Sequence, residues 1–176
     1  IRGFCLSRGL GDVYKRQMSY IYNTLTLSGS NDTITRFVLA INDNKNTLRN
    51  TWSVLGTHLP EWHHPDEAND PFYVEDGHAY INTCTTFMAP TGAIQKVSVN
   101  FPNLTFSNYF TEESDAFAGY AVIKDGVVLD VYDEDQPDFE WDDNPDSDNE
   151  DFYDQISEWQ RGIEDRCYNS AENVKS

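Results

Sequence analysis

Four histidines, three cysteines and thirty carboxylates are the groups that could do chemistry in this 176-residue chain. Their spacing decides which chemistry is open to them. His58, His63, His64 and His78 are too irregularly placed for a zinc site, and the adjacent pair His63 and His64 cannot readily share one metal. Cys5, Cys84 and Cys167 are odd in number and lack ligand spacing, which rules out a disulfide framework; Cys84 is as well explained by packing in a strand. An EF-hand loop begun at Asp142 would use Asn144 and Asp146. It then meets Ser147 where the sharp turn needs glycine and Tyr153 where the bidentate glutamate belongs. There is no G-x-S-x-G, no H-E-x-x-H and no glycine loop to cradle phosphate. Carboxylate pairs such as Glu112 and Glu113 arise by chance at this composition. The reading is of no catalytic residue, no cofactor and no metal ligand, and so of a protein that is not an enzyme.

What remains is charge. Thirty Asp and Glu face twelve Lys and Arg, a formal charge of −18. That balance argues against nucleic acid or an anionic membrane as a direct ligand. Fifteen of the carboxylates lie between Lys124 and Arg161, a stretch with no basic residue. The candidate partner-binding residues are drawn from it: Asp133, Glu134, Asp135, Asp138, Glu140, Trp141, Asp142, Asp143, Asp146, Asp148, Glu150, Asp151 and Trp159. Their spacings fall inside a Debye length of about 8 Å, so repulsion extends the segment unless a cation or basic partner neutralises it. The plain alternative is a solvated linker, although Phe139, Trp141 and Phe152 make it stickier than a solubilising tail needs to be.

The elements that would position these groups follow from periodicity. Residues 20–27 alternate, with Ile21, Asn23, Leu25 and Leu27 on one face, and predict a strand. Ser28-Gly29-Ser30 turns the chain, Ser30, Asn31 or Asp32 caps a helix, and Ile34, Phe37, Val38 and Ile41 give its stripe. Residues 47–59 read either as a helix through Leu48, Trp52, Leu55 and Leu59 or as a short strand, and 60–77, with three prolines and Gly77, reads as an irregular loop. A strand at 79–88 leads to a helix opened by Pro90, striped by Ile94, Val97 and Phe101, and ended by Pro102. Strands follow at 104–110, 116–123 and 127–132, the last two joined at Asp125-Gly126. Phe152, Ile156, Trp159, Ile163 and Cys167 mark an amphipathic terminal helix, which either docks on the open face or edge of the sheet or is held out for a partner. No stretch approaches the roughly 18 apolar residues of a membrane span.

Several of these signatures, in this order, resemble the YubB ferredoxin-like domain family of plasmids and phage-related elements. Asn23-Thr24-Leu25-Thr26-Leu27-Ser28-Gly29 is similar to its opening strand, and Thr85-Thr86-Phe87-Met88-Ala89-Pro90 to the entry of its second helix. Phe101-Pro102-Asn103-Leu104 is similar to that helix's exit, and Phe117-Ala118-Gly119 to the strand beyond. The family has tryptophan where Phe87 stands and proline at Ala89, and its glycine–threonine–lysine motif is at best Gly56-Thr57-His58 here. The resemblance implies the fold and a mobile-element setting, without a reaction. Residues 1–17, IRGFCLSRGLGDVYKRQ, resemble translated sequencing-adapter sequence; a natural basic arm is the other reading.

The expectation is therefore an α+β ferredoxin-like sandwich over residues 18–132, a mainly antiparallel sheet with two helices on one face. An acidic linker at 133–151 and a terminal helix at 152–168 follow. In function, the chain is expected to be a cytoplasmic protein-interaction module of a mobile element. The alternative is an acidic DNA mimic of the anti-restriction or anti-CRISPR type, whose partner would be a basic nucleic-acid-binding protein. A ferredoxin-like sheet can stack RNA bases on aromatics such as Tyr20, Tyr22 and Tyr109, but the charge opposes that use here.

Overall fold

Alternation fixes which side of the first strand is buried, and the rest of the sheet is built around it. The computed structural model describes residues 20–42, 57–58, 72–75, 77–86, 88–112, 114, 116–139 and 149–175. In chain order its elements are β1 (Tyr20–Ser28), α1 (Asn31–Asn42), β2 (Thr57–His58), β3 (Phe72–Glu75), β4 (His78–Thr86), α2 (Thr91–Ser98), β5 (Thr105–Glu112), β6 (Phe117–Lys124), β7 (Val127–Asp135) and α3 (Glu150–Lys175). The strands form one sheet in the order β2-β4-β1-β5-β6-β7, with β3 also pairing β4. Every pairing is antiparallel.

Ile21, Asn23, Leu25 and Leu27 all point into the protein, as the period of two requires. Leu25 and Leu27 join Ile34 and Phe37 of α1, Ile94 and Val97 of α2, and Phe106, Ala121 and Ile123 of the central strands in one core. The Phe37 ring meets Phe101 and Phe106 edge-on, at centroid distances of 5.3 and 5.5 Å. Both helices therefore lie on one face, and the chain has the expected ferredoxin-like α+β architecture.

Ser30 caps α1: its hydroxyl accepts the Thr33 N–H at 3.3 Å, and its carbonyl accepts the Ile34 N–H at 3.0 Å. The helix opened by Pro90 ends at Ser98, earlier than the proline at 102 suggests. Asn100 and Phe101 donate to the carbonyls three residues back, tightening the exit, and Phe101 reaches the core from this turn rather than from the helix. Asp125 and Gly126, with φ of 48° and 75°, form the tight β6–β7 connection. At Gly119 the strands approach closely: a Cβ there would fall 2.5 Å from the Tyr132 carbonyl oxygen and 2.7 Å from the Phe110 ring.

One region departs from expectation, at the edge beside β4. Residues 72–75, read as part of a loop, form β3, because Phe-Tyr-Val is strand-prone and pairs with Ala79–Ile81 of β4. The helix-or-strand alternative at 47–59 lies outside the described residues apart from Thr57 and His58, which are in β2. Residues 1–17 also lie outside them.

Candidate interaction surface

The acidic stretch begins inside the sheet, not after it. β7 runs through Asp135, so Asp133, Glu134 and Asp135, expected to open a linker, are strand residues paired with Gly119, Ala118 and Phe117. Backbone pairing extends one step further, as Gln136 N–H donates to the Ala116 carbonyl at 2.9 Å. The terminal helix is also longer than its large apolar stripe suggests. It begins at Glu150 and runs to Lys175, adding Ala171 and Val174 to the contact surface.

This helix, α3, docks on the sheet face opposite α1 and α2. Ile163, Cys167 and Ala171 pack with Ala118, Tyr120 and Val122 of β6, flanked by Tyr109, Tyr132 and Trp159. A polar clamp reinforces the contact. Trp159 Nε1 donates to Glu134 Oε1 at 2.8 Å, Arg166 donates to the same oxygen at 3.0 Å, and the Tyr132 hydroxyl donates to Glu134 Oε2. The Arg166 guanidinium also lies 4.3 Å from the Tyr132 ring centre, in cation–π geometry. Tyr132 stacks on Tyr120, whose hydroxyl donates to Asp130 at 3.0 Å. Burial, then Asp130's hydrogen bond and charge, raise the Tyr120 phenol above its ordinary value. Glu134 and Trp159, both candidate partner-binding residues, are thus engaged in holding α3.

The hydrogen bond from Tyr132, with those from Trp159 and Arg166, holds the Glu134 carboxyl below the usual carboxylate range. A carboxyl depressed in the fold adds stability that is complete above its unfolded value and fades as pH falls through the lower folded one. For Glu134 the loss occurs below about pH 4.3, the ordinary glutamate value. Glu134→Gln is expected to destabilise α3 docking at neutral pH by at most about 1 kcal/mol, since the pair is solvent-screened. The variant should also lack this contribution to acid sensitivity, which denaturant melts at pH 7 and pH 3.5 will read.

Burial first, then the nearby charges of Glu164 and Asp130, push the Cys167 thiol up to about 12. Against an ordinary thiol near pKa 8.5, this lowers its thiolate fraction at pH 8 by roughly a thousandfold. Iodoacetamide at pH 8 is therefore expected to leave Cys167 unmodified in the native protein and to modify it once urea releases the helix, as peptide mass mapping will show.

With one face of β7 occupied by α3, the other face and the edge remain. Residues alternate along the strand: Asp130, Tyr132 and Glu134 turn toward α3, whereas Val131, Asp133 and Asp135 stay exposed. A bulge between Val122 and Ile123 of β6 leaves Leu129 as the extra residue on β7. Val127, Leu129 and Val131 are 55%, 45% and 57% exposed. Among the described residues β7 pairs only with β6, so its outer edge stands unpaired. Asp138 is exposed just beyond the strand, and Glu150 and Asp151 are exposed in the first turn of α3, where the positive end of the helix favours them. Glu140, Trp141, Asp142, Asp143, Asp146 and Asp148 lie outside the described residues.

Sequence reasoning missed Arg166 and Tyr132, which complete the clamp, and the exposure of Val127, Leu129 and Val131. Their spacing in VVLDVYDED carried the signal, although the bulge at Leu129 turns Val127 to the face opposite Val131. The clamp had no local signal, because Arg166 and Glu134 are separated by 32 positions. Among the described residues no group of three or more His, Cys, Asp or Glu is placed to hold a metal ion. No helix among them is long and apolar enough to cross a membrane.

A family model described as a ferredoxin-like domain in Api92-like protein matches residues 63–155, from ahead of β3 into the first turns of α3. No curated protein matches, and no solved structure does.

Proposed function

The chain belongs to the family of ferredoxin-like domains in Api92-like proteins, and from that premise we propose that it is a non-enzymatic module that binds a partner protein along β7. The observation that carries this reading is the outer edge, unpaired among the described residues, of a nine-residue strand whose exposed side chains are apolar at one end and acidic at the other. An open edge offers main-chain hydrogen bonds to an added strand, and the side chains beside it select which strand is accepted. The segment that fits runs antiparallel to β7, with Lys or Arg opposite Asp135 and Asp133 and apolar residues opposite Val131 and Leu129. A second copy of this chain fits poorly. Paired antiparallel about Val131, two β7 strands would set Asp133 against Leu129 and Asp135 against Val127, and other registers bring carboxylates together. The proposal extends to a cytoplasmic role in a mobile genetic element, the setting implied by the YubB resemblance.

Val131→Lys tests it. The site is exposed, so the fold tolerates the change, but a cation on the apolar half of the edge repels a basic-then-apolar strand. A fluorescent Lys-Thr-Lys-Thr-Val-Thr-Val peptide is expected to bind the wild-type chain at least tenfold more tightly than the variant, with unchanged circular dichroism. Equal binding to both removes the edge from the account.

The DNA-mimic reading has its own support in α3, an ordered helix with seven carboxylates against Arg161, Arg166 and Lys175. Mimicry is electrostatic, so capture of a basic protein would collapse between 50 and 200 mM salt. Strand addition, carried by backbone hydrogen bonds and apolar contact, would weaken only modestly over the same range.

A further inference from the structure

α3 covers only part of its sheet face. It lies over β5 and β6, while the side chains of β1 and β4 that point the same way run on beside it. Between them is a groove of about 300 Å³, at the lower end of the size range of small-ligand pockets. Its floor is hydroxyl-rich, with Thr24, Thr26 and Ser107 pointing up from β1 and β5. Tyr80 and Tyr109 rise from the sheet, and Tyr168 comes from the helix. Glu164, Asp165 and Glu172 form the helix side.

Two features define what would bind there. First, among the described residues the lining holds three carboxylates and no lysine or arginine; the weak base there, His78, is hydrogen-bonded to the Ser28 hydroxyl at 3.1 Å. An anion is disfavoured, and a cation meets both opposite charge and aromatic rings. Second, the Ser107 Oγ on the groove floor is buried and has no hydrogen-bond partner among the described residues. Buried hydroxyls in native proteins are ordinarily paired, and one left open beneath a groove marks a place where a ligand or its water is missing. The chain already displays the matching recognition on the same helix, where its own Arg166 guanidinium lies over Tyr132 and pairs with Glu134. The groove gathers the same components, tyrosine and carboxylate.

We propose that this groove is a binding site for an organic cation, a protonated alkylamine or a guanidinium, seated among Tyr80, Tyr109 and Tyr168 and neutralised by Glu164, Asp165 and Glu172. Cation–π attraction and carboxylate pairing act together on such a group in a partly desolvated site, and a simple metal ion gains little from the tyrosines. The site lies on the opposite side of α3's footprint from the β7 edge and does not depend on it.

The test titrates the full chain at 150 mM NaCl, by calorimetry, with three probes: spermidine, agmatine and a capped Lys-Arg dipeptide. At least one is expected to bind saturably at one per chain. Tyr80→Ala should weaken that binding at least fivefold, and the Glu164→Gln/Glu172→Gln double variant at least tenfold. Tyr80→Phe should restore it, and Asp138→Asn, outside the groove, should leave it unchanged. Tyr80 is uncharged, so loose counter-ion binding to an acidic chain would not respond to its removal. A preference for the free amines identifies a small-molecule ligand; a preference for the dipeptide identifies a basic side chain of a partner. No saturable binding of any probe, or binding that is the same in Tyr80→Ala, overturns the proposal. Val131→Lys is expected to bind these probes like the wild type, so failure here is distinct from failure at the β7 edge.

Discussion

Phe37→Ala is expected to lower the unfolding free energy by about 3–5 kcal/mol, the range for truncating a buried phenylalanine. Phe37 is fully buried, and its ring joins α1 to Phe101 at the exit of α2 and to Phe106 of β5. Removing it leaves a cavity where both helices meet the sheet, and the surrounding rings can close on it only in part. A domain of this size has a total stability of about 5–15 kcal/mol, so the variant should be poorly populated when warm. Urea melts at 25 °C should show the midpoint falling with the slope unchanged. A shift below 1 kcal/mol would mean that α1 does not pack on this core.

Ile163→Ala should act on the other face. Ile163 is fully buried between α3 and β6, and the truncation is expected to cost about 2–5 kcal/mol. The loss falls first on helix docking, because this cluster and the α1–α2 core lie on opposite sides of the sheet and share no residue. Local opening should therefore precede global unfolding. Two readouts separate these events: Cys167 becomes open to alkylation in the variant under native conditions, while the midpoint of sheet unfolding moves less than it does for Phe37→Ala. If Cys167 stays protected and only the global midpoint falls, α3 and the sheet unfold as one unit.

Much of this architecture could be read from local patterns. Strict alternation through YIYNTLTL fixed the inward face of β1, and Ile34, Phe37, Ile94 and Val97 marked the helix stripes that reach the core. The departures share a physical cause: long-range pairing decides where local composition points the other way. Pro71 and Gly77 punctuate the chain like a loop, but the short Phe-Tyr-Val run between them becomes a strand by pairing with β4. Asp133, Glu134 and Asp135 have the composition of a linker, yet β7 runs through them. A ladder to β6 uses only their backbones, and an edge strand keeps carboxylates in solvent without penalty. The C-terminal turns of α3 carry Ala171 and Val174 at suitable spacing, but these small side chains among polar neighbours give a weaker stripe than Ile156, Trp159 and Ile163. Charge told where the candidate surface lies. It could not tell that Glu134 is taken up by Trp159 and Arg166, contacts made across 25 and 32 positions.

Amide hydrogen exchange along Val127–Asp135, with and without the basic-then-apolar peptide, addresses the open edge of β7 most directly. In the free protein alternate amides should exchange quickly, those facing outward, while their neighbours bonded to β6 stay protected. On adding the peptide, the fast set should become protected in the wild-type chain and remain fast in Val131→Lys. Outward amides that are already protected in the free protein, or that stay fast when the peptide is bound, would contradict the assignment of this edge as the partner-binding surface.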